Sequence, residues 1–473
     1  MRASSKSAAG EGGRASRHHA RLREAITGGS IRTTLLVLAL PVLGEQLLNS
    51  FVAVCDIYLA GRLSKEATAA VGLASYVAWF GSMLFALVGT GTTALVARCA
   101  GARQHAEANR FTNQSITLSI LCGVTVSAAL FLLAPAFARL QGMTGQTYAM
   151  AVQYLRIDAM ALPMMSIALV GAAALRGAGD TRTPMLVLAV VNILNVIVSV
   201  ALVYGIGPIP RLGFTGIVLG TAAGRVVGGT LMLVVLSIGR SGLRLRRSAL
   251  GLQREPVRRV LRIGGPAASD GALMWTGHFV FLMIVGRLAT GELQVAYYAA
   301  HMIGVRLEAL TYLPAAAWAA AAATMIGQNL GARHPDRARR SGHEAVLQCG
   351  VLAVLVGLVF LSCAGGLFAL LHKDPLVRQV AVGPFRMLAC GQPLLAMSIV
   401  YVGALRGAGD TRFPVLITVM GNILVRLPAA YVLGVLWQWG LWGVWLAMCG
   451  DFVMRAALAA GRFARGRWIH TRV

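Results

Sequence analysis

The stretch that decides the fold reads Leu175-Arg-Gly-Ala-Gly-Asp-Thr-Arg-Thr-Pro184, and it returns 230 positions later as Leu405-Arg-Gly-Ala-Gly-Asp-Thr-Arg-Phe-Pro414. Nine of the ten residues agree, at an offset close to half of the 473-residue chain. Each copy lies between two long apolar runs, where a tight turn would join two helices. The duplication therefore predicts two copies of one helical unit.

The doubled segment has the residues of a helix-to-helix turn. Asp180 can cap the following helix with a side-chain oxygen, and Pro184 suits a first helical turn. Gly177 and Gly179 can take the left-handed conformation that ends a helix. We expect the two turns to be matched cytoplasmic hinges, although a plain structural hairpin explains the same residues. The hinge glycines are Gly177, Gly179, Gly407 and Gly409.

The composition is that of a membrane protein: 57% of the residues are apolar, 13% are charged, and the mean hydropathy is +0.70. The apolar residues gather in runs of about 20, which cross a bilayer as helices. We therefore expect an all-α membrane protein of twelve transmembrane helices in two six-helix bundles. The spans are expected near residues 35–60, 67–95, 112–137, 152–174, 184–205, 214–238, 263–286, 295–326, 344–371, 382–404, 414–436 and 441–461.

Further matches extend the repeat: Pro41 with Pro266, Gly61-Arg-Leu63 with Gly286-Arg-Leu288, Gly101-Ala-Arg103 with Gly331-Ala-Arg333, and Asn192-Ile-Leu with Asn422-Ile-Leu. Six spans is an even number, so both halves enter the membrane from the same side. They are then parallel repeats with a cleft between them near the midplane. This architecture is typical of an alternating-access transporter.

The net charge of +26 sets orientation and does not indicate a nucleic-acid partner. Thirty of the 43 basic residues fall in alternate loops and both terminal tails, against nine in the other loops. This asymmetry is the positive-inside rule, and it predicts that both termini are cytoplasmic and that the basic loops favour anionic lipid.

These patterns divide the chain into five parts. We expect a disordered cytoplasmic tail, an N-terminal bundle, a basic cytoplasmic linker, a C-terminal bundle and a basic cytoplasmic tail. The Arg- and Ser-rich start also fits an organelle transit peptide or a start placed too early. The parts are residues 1–30, 31–239, 240–262, 263–461 and 462–473.

No cofactor, metal site or catalytic set is expected. The seven cysteines are scattered and form no CxxC pair. The sequence contains no GxxxxGK[ST] loop, HExxH motif or nucleophile–base set, so an ion gradient must supply the energy.

Several motifs occur in order at the expected spans: Leu40-Pro41 with Asp56-Ile-Tyr-Leu-Ala-Gly61, the doubled turn, Ile326-Gly-Gln-Asn-Leu-Gly-Ala-Arg333, and Arg462-Phe-Ala-Arg-Gly-Arg-Trp468. With them the chain resembles the multidrug and toxic compound extrusion family over nearly all of residues 26–468. The resemblance implies two bundles forming a V-shaped cleft. It also implies a cation-coupled antiporter that exports amphipathic, often cationic compounds.

The resemblance also implies a role for Asp56, since an aspartate of the first helix is central to coupling in the family. Proton-coupled members place Asn and Asp four apart in the fifth helix, but here the pair reads Asn195 and Ser199. Some members carry an acid in the tenth helix for sodium, and residues 382–404 contain none. Proton and sodium therefore both stay open as the coupling ion.

Helical periodicity supplies further candidates. Glu45, Asn49 and Asp56 fall within roughly 40° of one helical face. Acids at membrane depth normally face a bundle interior or an aqueous cavity. Glu45 is matched 225 positions later by Asp270, and the two acids fit gates, substrate contacts or structural partners of arginine. The expected cation-coupling residues are Asp56, Asn192, Asn195 and Glu308, and the expected cleft or gate residues are Glu45, Gln46, Asn49 and Asp270.

The favoured function is proton- or sodium-driven multidrug efflux by a monomer in the cytoplasmic membrane. The partners are then drug-like molecules, the coupling ion and the bilayer. A lipid-linked saccharide flippase is the nearest alternative, but it would need several cationic residues in its cleft. A multi-span membrane enzyme is a second alternative and would need a paired catalytic set at one membrane face.

Overall fold

The computed structural model describes Glu24, residues 26–208 and residues 210–471. Within these residues, twelve helices are long and apolar enough to cross a membrane, and no strand is formed. The prediction of a twelve-helix, all-α membrane protein is confirmed. The tail predicted for residues 1–30 lies almost wholly outside the described residues.

The twelve helices extend the predicted spans by several residues at most of their ends. In chain order they are α1 Ile31–Leu63, α2 Lys65–Gly101, α3 His105–Leu140, α4 Gly145–Gly177, α5 Arg182–Tyr204, α6 Phe214–Ile238, α7 Arg254–Val285, α8 Gly291–Gly331, α9 Pro335–Leu371, α10 Pro375–Gly407, α11 Arg412–Leu436 and α12 Gly440–Ala464.

The helices belong to two compact units. The N-terminal unit is built mainly from Leu40–Gly264, and the C-terminal unit mainly from Gly265–Leu330 and His334–Val473. Each unit has its own apolar core, centred in the first on α1 to α6 and in the second on α7 to α12. The same order of six helices in each unit agrees with the duplication read from the turn.

Ile31–Ala39, the first turns of α1, belong to the C-terminal unit. There the Arg32 guanidinium lies 3.1 Å from the Glu344 carboxylate, and the Arg32 carbonyl accepts a hydrogen bond from Gln348. From Leu40, directly before Pro41, the rest of α1 belongs to the N-terminal unit. In α7 the division between the two units likewise falls directly before Pro266. The two prolines are the pair matched at the 225-residue offset.

The connection from α6 to α7 is held on α3 by side-chain amides. We call residues 240–253 the strap. Asn113 donates to the carbonyl of Arg244 (3.0 Å) and accepts from the amide of Arg246 (2.8 Å). Gln114 donates to two strap carbonyls and accepts from the amide of Gln253 (2.7 Å). These side chains form hydrogen bonds with the backbone of the strap, as a neighbouring β-strand would. The first half of the predicted linker 240–262 is therefore an ordered segment. Its second half is the start of α7.

Replacing Asn113 and Gln114 together by Leu is expected to release the strap, because the apolar side chains leave its backbone groups without partners. Amide hydrogen exchange over residues 240–253 should become faster, and trypsin should cut more readily at the strap arginines. Thr125→Val is the control, since its hydroxyl bonds only to a carbonyl of its own helix. Unchanged exchange in the double variant would contradict the assignment.

Candidate ion-coupling site

Asp56 lies on α1 in the N-terminal unit and faces α6. Its Oδ2 is 3.5 Å from the Thr221 hydroxyl, and its Oδ1 is buried without a hydrogen-bond partner. The amide of Asn195 donates to Thr221 Oγ1 (3.3 Å). Asn195 therefore reaches Asp56 through Thr221 and not by a direct hydrogen bond. Asn192 is buried, with its amide nitrogen unpartnered.

Small residues allow α5 and α6 to approach closely enough to form this chain of contacts. Gly216, Gly220 and Gly224 recur every fourth residue on α6, so they share one face. A Cβ at Gly216 would lie 2.7 Å from the backbone of α5, and one at Gly224 would lie 3.3 Å from the Asn195 Cβ. Glycine at these positions thus sets the distance at which Asn195 meets Thr221.

A second carboxylate of this unit comes from α4. Asp158 is 1% exposed and forms an ion pair with Arg225 of α6. Arg225 follows Thr221 by four residues, so both side chains lie on the same face of α6. Arg225 and Asp158 are also the charges that act on Asp56. Neither Arg225 nor Asp158 was among the candidate residues predicted from the sequence.

Glu45 lies apart from this group, although the helical-face argument placed it with Asp56. Its Oε2 is 2.9 Å from Nη1 of Arg176, the arginine of the first doubled turn. In the C-terminal unit, Arg406 of the second turn pairs with Asp270 in the same way. Each acid therefore ties the start of a bundle to its own turn, which was one of the roles foreseen. The gate role stays a prediction, as it does for half-buried Gln46 and exposed Asn49.

The two turns agree in detail. Gly179 and Gly409 have φ values of 94° and 89°, the left-handed conformation that was predicted. Asp180 accepts a hydrogen bond from the amide of Thr183 (3.0 Å), so the predicted helix cap is confirmed. The same prediction is wrong for Gly177: this residue and its counterpart Gly407 are the last residues of α4 and α10 and are not left-handed.

A different constraint explains glycine at positions 177 and 407. A Cβ at Gly177 would lie 2.9 Å from the Thr93 carbonyl oxygen of α2. A Cβ at Gly407 would meet the backbone of Ala323 on α8, 230 positions after Thr93. Close helix packing, and not a left-handed conformation, therefore requires these two glycines.

The C-terminal unit has a buried polar cluster of its own. Asp451 is fully buried, 3.7 Å from Arg455 one turn later on α12 and 3.9 Å from Arg426 on α11. The same charged groups act on Glu308, whose Oε1 is buried without a hydrogen-bond partner. Asp451 therefore has two arginine partners, Arg455 on its own helix and Arg426 on the neighbouring one. Helix α11, which contains Arg426, is π-helical at Val419–Arg426. Such π-helical segments are often found at functional sites.

Comparison with known proteins matches the MatE family model twice, to residues 41–201 and 266–432. A probable multidrug resistance protein NorM of Thermotoga maritima is 29% identical over 93% of each chain. An FAD transporter of Shewanella oneidensis is 24% identical over 86% of this chain and 89% of its own. An outward-facing multidrug resistance MATE transporter structure has a TM-score of 0.86 at 21% identity, covering 94% of this chain and 98% of that one.

Proposed function

This chain belongs to the multidrug and toxic compound extrusion (MatE) family of membrane transporters, and from that premise we propose that it exports amphipathic organic cations in exchange for protons. It is a transporter and not an enzyme. The MatE model matches both halves of the chain, and several relatives of comparable length carry the names of multidrug resistance proteins.

The observation that carries the choice of ion is the surroundings of Asp56. Among the described residues, its hydrogen-bond contact is with the Thr221 hydroxyl, and the charges of Arg225 and Asp158 act on it. The Arg225 guanidinium already supplies a cation beside Asp56 and Asp158, and it would compete with a metal cation for these carboxylates across a medium of low dielectric constant. A proton neutralises the carboxylate without adding a second cation beside the arginine. This arrangement supports proton coupling.

We place the protein in the cytoplasmic membrane as a monomer, with both termini on the cytoplasmic side. The charge asymmetry of the loops supports this orientation. The chain is arginine-rich in the loops that would then be cytoplasmic, including the strap between α6 and α7. Labelling single cysteines in intact cells tests the orientation, since a cysteine at Ser248 should be protected from an impermeant thiol reagent.

Transport by purified protein in sealed vesicles tests the function and the ion together. We expect a fluorescent organic cation to be concentrated when a pH gradient is imposed and not when a sodium gradient is imposed alone. Free FAD serves as the second cargo, because one relative is named for it. Accumulation driven by sodium at equal pH would reject the proton, and accumulation of FAD in place of the cation would reject the substrate class.

A further inference from the structure

Arg225 can reach two carboxylates that belong to two different helices. It is paired with Asp158 of α4, and its charge acts on Asp56 of α1. We infer that Arg225 is a positioning residue that leaves Asp158 for Asp56 when Asp56 loses its proton, and returns when Asp56 is protonated again. The inference rests on the proposed proton coupling and adds to it the residue that moves when Asp56 gains or loses its proton.

Arg225 and Asp158 form a buried ion pair between Nη1 and Oδ1. A buried charge of this kind is stable only while it is paired. When Asp56 becomes charged beside the pair, the single guanidinium has two carboxylates as possible partners.

The position of Arg225 on α6 supports the exchange. Thr221, one turn earlier on the same face, already lies 3.5 Å from Asp56 Oδ2. One helical turn is about 5.4 Å, a distance that the long arginine side chain can span by changing rotamer. The unpartnered Oδ1 of Asp56 is the acceptor that the guanidinium would meet.

The charge balance of the cluster gives the exchange its direction. With Asp56 protonated, the cluster holds one carboxylate and one guanidinium and is neutral. With Asp56 ionised, two carboxylates share one guanidinium, and a buried excess charge is costly unless it is paired. Arg225 then lies where the new charge has appeared. Tyr154 on α4 and Cys55 on α1 are the other titratable groups that respond to these charges.

The C-terminal unit offers an internal comparison. The positions 230 residues after Thr221 and Arg225 are Asp451 and Arg455, and the position 225 residues after Asp56 is Phe281. There the carboxylate and the arginine lie one turn apart on a single helix. The C-terminal cluster also has a second carboxylate, Glu308 of α8, but it has a second guanidinium as well, Arg426 of α11, so its two carboxylates do not share one cation.

The test is the pH midpoint of proton-driven efflux in vesicles. In Asp158→Asn, Arg225 has only Asp56 to pair with, which favours the ionised acid, so the midpoint should fall by about one pH unit. In Arg225→Gln, Asp56 faces Asp158 with no cation, which favours the protonated acid, so the midpoint should rise by about one pH unit. The double variant loses one charge of each sign and should return close to the wild-type midpoint.

An ion pair too far from Asp56 to act on its charge would lower the amount of folded protein without moving the midpoint. Fixed charges close to Asp56 would move the midpoint in the same two directions, so infrared spectra of the wild-type protein are needed to distinguish exchange from fixed charge. The matched control is Arg32→Gln with Glu344→Gln, which removes an ion pair of the C-terminal unit and should leave the midpoint in place. Shifts of the two single variants in the same direction, or no shift, would overturn the exchange. If the wild-type protein does not transport the organic cation when a pH gradient is imposed, the proposed function itself is wrong.

A measurement on the unaltered protein covers variants that do not fold. Infrared difference spectra of the wild-type protein between low and high pH should contain the loss of one carboxylic acid band. They should also contain a change in the guanidinium vibrations, because Arg225 changes partner. Isotopic labelling of arginine identifies those bands. Loss of the acid band with unchanged guanidinium bands would overturn the exchange.

Discussion

Replacing Asp56 by Asn is expected to abolish gradient-driven export while leaving a folded protein that still binds substrate. The asparagine has the size and hydrogen-bonding capacity of the protonated acid, so the contact with Thr221 can be kept. It cannot release a proton, and Arg225 then has no new charge to follow. Export at matched expression should fall to the level of a vector control. Substrate binding, measured by fluorescence on purified protein, should change little.

Two further variants separate coupling from structure. Asp56→Glu can still titrate and should retain partial activity. Glu45→Gln removes an acid from the same helix, but that acid is already paired with Arg176, so its effect should be milder. Full gradient-driven export by Asp56→Asn would remove this residue from the mechanism and make Glu308 the next residue to test.

The fold could be predicted because duplication and apolar length survive in the sequence itself. The doubled turn and the matched prolines led to two six-helix units, and the MatE model matches the chain twice with starts at residues 41 and 266. Those starts are separated by the same 225 residues as the prolines. Cap and turn chemistry is local, which explains why Asp180 and Gly179 behave as expected.

The candidate site was harder to predict because its contacts are tertiary. Glu45 and Asp56 share one face of α1 when α1 is considered as an isolated helix, and for this reason they were expected to lie together. The structure separates them because Glu45 meets Arg176, which lies 131 residues later in the chain. Asp158 was missed for the same reason. Its partner Arg225 is two helices further on, and no local pattern connects them.

The ordered strap was also beyond sequence reasoning. Its residues are basic and polar, a composition that predicts a solvated linker. The residues that hold it, Asn109, Asn113 and Gln114, lie in the first turns of a membrane helix and read as polar ends of a span. Only the packing of the chain shows that their amides replace water as partners of the strap backbone.

Gly407→Ala is expected to destabilise the C-terminal unit strongly, because the added methyl group would be forced into the backbone of Ala323 on α8. A side chain can rotate away from such a contact, but a helix backbone must shift as a whole. Overpacking of a buried site costs about 1–3 kcal/mol, and a backbone neighbour places this site at the upper end. Thermal unfolding of purified protein in detergent should occur at a clearly lower temperature, with less folded protein recovered.

Gly350→Ala is the matched control, since Gly350 lies within α9 and an added Cβ would meet no atom within 4 Å. That change should leave stability unaltered or raise it slightly, because alanine has the higher helix propensity. Gly177→Ala should lie between the two, since its Cβ would meet the Thr93 carbonyl oxygen at 2.9 Å. Equal stability of the Gly407 and Gly350 variants would show that α8 and α10 can separate at this point, and that the glycine of the second turn is not required for packing.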